Sequence, residues 1–283
     1  MKFGNLLKTL TKKNNMTNQE LLAKLNISSN LFLGVDETTI SRWMNNKTTP
    51  SFKRQFHILF LLNMSIEEIL ESIELPDETN NFSSSLKKMF IESEGYNSLS
   101  YIPSIDIEDD TTIITNNTDS DTKKYITKYY DNFDFYSDLK LEEILNNDNT
   151  KYLSILKNNH YIPNSHLCYT ILDASYINEK INLKMNSGDV FLHISYFSGF
   201  DCFKYLIALF ITDLLSLNDL DITIYSIARS DGFKSIHNKV NSELLYKSPK
   251  NSKNNKDYFI IYKTRLFNII EDHNTWHLLK LIH

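Results

Sequence analysis

Apolar positions recur every three or four residues over the first quarter of the chain, then give way to short alternating or continuous apolar runs. Phe3, Leu6, Leu7 and Leu10 fall on one face of a first helix. Thr17 and Glu20 make a Ser/Thr-x-x-Glu capping box, so a second helix starts at Asn18, with Leu21, Leu22 and Leu25 as its apolar side. Asp36 caps a third helix, in which Ile40 and Trp43 pack while Glu37, Thr38, Ser41 and Arg42 stay polar. The pattern predicts helices near 3–14, 18–25, 36–45, 51–62 and 65–74. FHILFLL at 56–62 is apolar nearly all round, more than five short helices bury alone. A dimer partner or the second domain is expected to cover the surplus.

Pro76 and the polar run PDETNNFSSS end this head, and SLKKMFIESE at 85–94 is a short amphipathic piece. IDIEDDTTIITNNTDSDTKK has no helical period and reads as a mobile linker. From about Tyr125 strands and helices mix. LEEILNN and TKYLSILKNN read as helices. HLCYTILDASYI, EKINLKM and DVFLHISYF read as strands. CFKYLIALFITDLLSL is a helix apolar enough to be buried on most sides. ITIYSIA (strand), DGFKSIHNKVNSELL (helix) and DYFIIYKTRLF (strand) follow. Three segments result: an all-α five-helix head over 1–75, an acidic linker over 76–124, and an α+β domain over 125–283.

Charge sharpens this division. Residues 1–65 hold nine Lys/Arg against three Asp/Glu, a balance of +6, whereas residues 66–122 balance at −12. A small basic head suits a polyanion, because neutralised phosphates supply most of DNA affinity. No run of 18 apolar residues exists and the first residues lack a secretion signal's apolar core, so a membrane span is excluded and the cytoplasm is expected. Two cysteines, Cys168 and Cys202, suggest buried thiols rather than a disulfide framework. No histidine pair has metal-ligand register, so no metal and no cofactor are expected.

The spacing of Thr17, Glu20, Leu21, Ala23, Gly34, Val35, Thr39, Ile40, Ser41, Arg42, Trp43 and Pro50 resembles the Cro/phage-repressor (XRE-type) helix-turn-helix family. The likeness runs over about residues 2–72. It implies a transcriptional regulator on double-stranded DNA, with Thr38, Thr39, Ser41 and Arg42 reading bases in the major groove. Lys13, Asn18, Lys47 and Thr48 are the implied phosphate contacts. The chain departs from the family in about eight residues inserted within Asn26–Gly34, in Met44 for Glu, and in Asn46 for Gly. Asn46 suits the left-handed conformation that a helix end requires. The insertion is expected to be ordered, anchored by Leu31, Phe32 and Leu33, and a homodimer is expected.

The order of strands and helices over 125–267 resembles the GNAT acetyltransferase fold. That family holds the pyrophosphate of acetyl-CoA in a Gly-rich turn opening its central helix. Phe197-Ser198-Gly199-Phe200-Asp201-Cys202 stands there instead, with one Gly and an added negative charge. The family's Tyr acid falls near His237–Ser242, where no Tyr occurs. A GNAT-like domain without catalysis is therefore expected, serving dimerisation or capture of a small-molecule or small-protein effector. The alternatives are an acetyltransferase with a DNA-binding head and a regulator titrated by a small protein. The surface around Gly199–Lys204 and any cavity beside the central helix discriminate enzyme from sensor.

Overall fold

The computed structural model describes residues 2–75, 87, 111–115, 120–131, 133–157, 163–217, 219–229, 234–249 and 258–282. The chain divides into two compact units, Met1–Glu78 together with Glu271–Leu281, and Thr79–Ile270.

In the first unit, local capping chemistry sets where helices begin. Helix α1 (Phe3–Lys13) buries Phe3, Leu6, Leu7 and Leu10. Helix α2 (Asn18–Ser28) opens on a capping box closed in both directions: Glu20 N donates to Thr17 Oγ1 at 3.2 Å, and Thr17 N donates to Glu20 Oε2 at 2.8 Å. Helix α3 (Glu37–Met44) is capped by Asp36, whose Oδ1 accepts from Thr39 N at 2.7 Å. Helices α4 (Phe52–Leu61) and α5 (Ile66–Ser72) complete the run, the latter on a second capping box, Ser65 with Glu68. Asn46 adopts φ +52°, as the helix end demands, and its Oδ1 accepts from Gly4 N at 2.9 Å. A Cβ on Gly4 would stand 2.1 Å from the Trp43 carbonyl oxygen, so only glycine lets α1 approach α3 here.

The inserted stretch lengthens α2 to Ser28 and adds a 3-10 turn at Asn30–Phe32. Phe32 is fully buried and Arg54 Nε donates to Leu31 O at 3.1 Å. Leu33 corrects the expected anchor set: it is 70% exposed.

The apolar surplus of α4 is met inside the chain. The last helix belongs to this first unit, which corrects its assignment to a 125–283 domain. Trp276, fully buried, packs its ring against Phe56 at 4.5 Å and Phe52 at 5.8 Å, and Glu271 pairs with Lys53. The surplus therefore no longer argues for a second copy.

The second unit is α+β, as expected. Its described helices are α6 (Ser120–Tyr130), α7 (Asp134–Asp138), α8 (Leu141–Leu145), α9 (Phe200–Leu215), α10 (Lys234–Lys239) and α11 (Leu266–Ile270); α12 (His273–Leu279) is the helix carrying Trp276 in the first unit. Its strands are β1 (Thr111–Thr115), β2 (Thr150–Lys157), β3 (Pro163–Ile171), β4 (Tyr176–Asn178), β5 (Leu183–Met185), β6 (Val190–Leu192), β7 (Thr223–Arg229), β8 (Glu243–Lys247) and β9 (Phe259–Arg265). Seven of them form one sheet in the order β1-β2-β3-β6-β7-β9-β8, and β4 pairs β5 apart. Among the described residues every ladder is antiparallel except β6 with β7.

Successive strand residues face opposite sides of the sheet. On one side Cys168, Phe191, Ile227 and Ile261 join a core with Ile126, Tyr130, Tyr136 and Ile144 of α6–α8. On the other, Tyr169 meets Phe210 of α9 at 4.9 Å, and Asp213 of α9 accepts from Lys151 at 2.7 Å and from the Tyr169 hydroxyl.

Three expectations are corrected here. The first eight residues of TKYLSILKNN form β2, because a strand with Tyr152, Leu153, Ser154 and Ile155 all buried shows no alternation to set against a helix. The helix expected through Leu245 stops at Lys239, after which β8 pairs with β9. The expected linker contributes β1 and the start of α6; its residues 76–110, including the amphipathic piece at 85–94, lie outside the described residues apart from Lys87.

Candidate functional site

The one parallel pair among the described residues, β6 with β7, is joined over three residues, Val190–Leu192 against Ile224–Ser226. Past Leu192 the chain stays with β3: His193 N donates to Cys168 O at 2.9 Å, and Tyr196 exchanges two bonds with His166 at 2.8 and 3.0 Å. Strand β7 instead stays with β9 as far as Arg229. The two strands part at Leu192 and Ser226.

Two buried tyrosines hold them apart. Ile194 N donates to Tyr136 Oη at 3.2 Å, and Tyr130 Oη donates to Ile194 O at 3.0 Å. A buried backbone group left without a partner costs about 1–3 kcal/mol, so these hydroxyls replace what a neighbouring strand would supply. His193 locks the same turn. Its Nδ1 lies 3.3 Å from Tyr136 Oη and its Nε2 lies 3.0 Å from Thr170 Oγ1. With the tyrosine hydroxyl donating to Nδ1, Nε2–H donates to Thr170, and burial presses the imidazole pKa down to about 3. His193 is a satisfied, neutral core histidine.

A cavity of about 170 Å³ occupies the parting. From α9 it is walled by Phe203, Ile207 and Phe210, from β7 by Ile224, Ser226 and Ala228, and from α10 and the turn that follows it by Ile236, His237 and Val240. The lining is overwhelmingly apolar. His237 is its notable ionisable group away from the His193 anchor. The His237 ring lies flat on Tyr262, 3.8 Å between centroids and 11° between planes, and its Nδ1 is 3.1 Å from Ser242 Oγ. Burial lowers its pKa to about 4, so it is neutral at physiological pH. With Nδ1–H donating to Ser242, Nε2 keeps its lone pair as a proton acceptor.

The start of α9 sits beside this cavity. Ser198 N donates to Ser165 Oγ at 2.8 Å, pinning the turn to β3. Gly199 is the N-cap, in extended backbone, and as a glycine it brings no capping side chain of its own. Asp201 pairs with Lys204 at 2.7 Å, so its charge is not presented unopposed, and Phe200 folds back on Phe203 with ring planes 17° apart. Both obstacles that the sequence raised against an anion at this turn are thereby reduced.

The residues expected to read DNA lie in the first unit. Thr38 and Arg42 are exposed and Ser41 half-buried on the side of α3 opposite Ile40 and Trp43. Thr39 differs. Its hydroxyl donates to Asp36 Oδ1 at 2.6 Å, a bond that also holds the Asp36 carboxyl below its ordinary pKa. Lys13, Lys47 and Thr48 are exposed and Asn18 half-buried, with the Lys47 and Thr48 amides bonded to the Arg42 carbonyl. Sequence reasoning missed Asn45, which accepts from Lys8 Nζ at 2.9 Å and donates to Ser41 O at 2.8 Å. His237 carries no local signal either, since its ring partner Tyr262 lies on another element. Both cysteines are buried, and burial raises the Cys168 thiol. Among the described residues no cluster has a metal-binding arrangement, and no helix is long and apolar enough to cross a membrane.

No known family profile matches the chain, and no curated protein matches it. Solved structures similar to it include the following three. One is a protein assigned to the GNAT acetyltransferase family from Desulfovibrio desulfuricans, at 10% identity over 55% of this chain and 99% of that one, with a TM-score of 0.33. An uncharacterized protein from Bacillus halodurans matches at 14% identity over 50% of this chain and 70% of its own, with a TM-score of 0.32. The third is an N-acyl amino acid synthase from uncultured soil microbes, at 6% identity over 61% of this chain and 98% of that one, TM-score 0.35. Two of the three are a GNAT-family acetyltransferase and an acyl synthase by description, in contrast to the domain without catalysis expected from the sequence.

Proposed function

We propose that the second unit is an acyl transferase, moving an acyl group from a thioester to an amine, and that the N-terminal helices form a DNA-binding head. The observation that carries the first part is the apolar cavity at the parting of β6 and β7 with His237 in its wall. Such a transfer asks for an apolar recess, backbone groups that can hold a carrier's amides, and a neutral base. Phe203, Ile207 and Phe210 offer the recess. Strand β7 beyond Ser226, where its pairing with β6 ends, offers the backbone. His237 offers the base. The amine nitrogen attacks the thioester carbonyl carbon; the C–N bond forms, the C–S bond breaks, the thiolate leaves, and the amine's proton passes to His237. Thiol release from an acyl-CoA in the presence of primary amines tests the reading.

For the head, the support is the exposed side of α3 and the +6 balance over residues 1–65. Thr38, Ser41 and Arg42 are three and four residues apart and so share one face. Thr39 stands apart, because its hydroxyl already donates to the carboxylate of Asp36, the residue that caps the helix. After selection of a preferred duplex, Arg42→Ala is expected to lose about 1–3 kcal/mol of discrimination, read as the ratio of Kd values on selected and random duplexes. An unchanged ratio removes Arg42 from base contact.

A further inference from the structure

Resting on the acyl-transfer reading, we infer that the transferred group is a medium-length apolar acyl chain of about six carbons, not acetyl, and that Ala228 and Ile207 set its length. The recess holds about 170 Å³. A dry apolar cavity of about 150 Å³ takes a benzene ring, so six carbons fill this one. A two-carbon acetyl group would leave most of the wall without contacts, and those contacts are the source of affinity in an apolar recess.

The walls have the right chemistry along their length. Phe203, Phe210 and Ile224 are buried and present only hydrocarbon. Ile207 and Ile236, half-buried, gather around Phe203 in a separate apolar cluster. Ser226 and His237 are polar groups in the same wall, suited to the reacting carbonyl rather than to the tail. Ala228 is the smallest side chain on the β7 wall, 5% exposed, so the space there exists because nothing larger than a methyl stands in it. Replacing it by Phe fills the recess; trimming Ile207 to Ala on the opposing helix deepens it.

Calorimetry with acetyl-CoA, hexanoyl-CoA and octanoyl-CoA on the full chain tests this without requiring turnover. Each buried methylene contributes about fourfold in affinity, so the four that separate hexanoyl from acetyl give a preference on the order of 100-fold. Ala228→Phe is expected to bring hexanoyl-CoA to within about threefold of acetyl-CoA while acetyl-CoA binding persists. Ile207→Ala is expected to move the optimum to octanoyl-CoA, and it decides the matter if Ala228→Phe does not fold. Acetyl-CoA binding as tightly as hexanoyl-CoA, or an unchanged length preference in the folded variants, overturns the inference. A length preference without any transfer to amines leaves the acyl recess standing and removes the catalytic reading. Failure of all three thioesters to bind removes both.

Discussion

Trp276→Ala is expected to destabilise the first unit by about 3–5 kcal/mol, the range for deleting a large buried aromatic. The ring is fully buried and lies 4.5 Å from Phe56 and 5.8 Å from Phe52. Removing it leaves a cavity against α4 that two neighbouring aromatics cannot close by small shifts. Typical domains hold only about 5–15 kcal/mol in total, so the loss is a large fraction of the unit's stability. The chain supplies its own probe. It has two tryptophans, and the one left in the variant, Trp43, is buried in α3 of the same unit. Urea unfolding followed by Trp43 emission should show the shift; a change below about 1 kcal/mol would mean that α12 does not cover α4 in solution.

The second large effect concerns His237. His237→Gln keeps a polar side chain of similar reach but has no basic nitrogen, so transfer is expected to slow by about 10²–10⁴-fold with thioester binding unchanged. The pH dependence has a definite sign. With its folded pKa lowered to about 4, His237 takes up a proton more readily in the unfolded chain, so stability is fully present above about pH 6.5 and is lost as pH falls towards 4. His166 and His193, lowered by burial to about 3, add to the same acid sensitivity. The variant should therefore lose part of the stability change between pH 6.5 and 4. Full activity in His237→Gln, with an unchanged acid profile, would remove the histidine from both roles.

Much of the first unit was legible because its signals are local. The Thr17–Glu20 box and the Asp36 cap lie within three residues of their partners, and each starts its helix where the pattern places it. The cover over α4 was not legible, since Trp276 lies more than 200 residues from Phe56 and no local pattern joins them. In the second unit the apolar run of α9 announced a buried helix. Strand β2 was hidden because burial on both faces removes the alternation that marks a strand. The cavity was hidden for a different reason. It exists because Tyr130 and Tyr136 satisfy the backbone of Ile194, and hydroxyl contacts across 58 to 64 residues leave no trace in element order. Nothing local marks His237, whose burial against Tyr262 only emerges once β9 and α10 are packed.

The central claim is that the cavity serves acyl transfer, and the most direct measurement combines the full-length protein with hexanoyl-CoA and a panel of primary amines, following free thiol and the mass of the product. The account predicts stoichiometric release of CoA thiol and an amide heavier than the amine by one hexanoyl group less a hydrogen, with both signals lost together in His237→Gln. Bound hexanoyl-CoA that stays intact with every amine, or thiol release that is amine-independent and yields only free hexanoate, would contradict it.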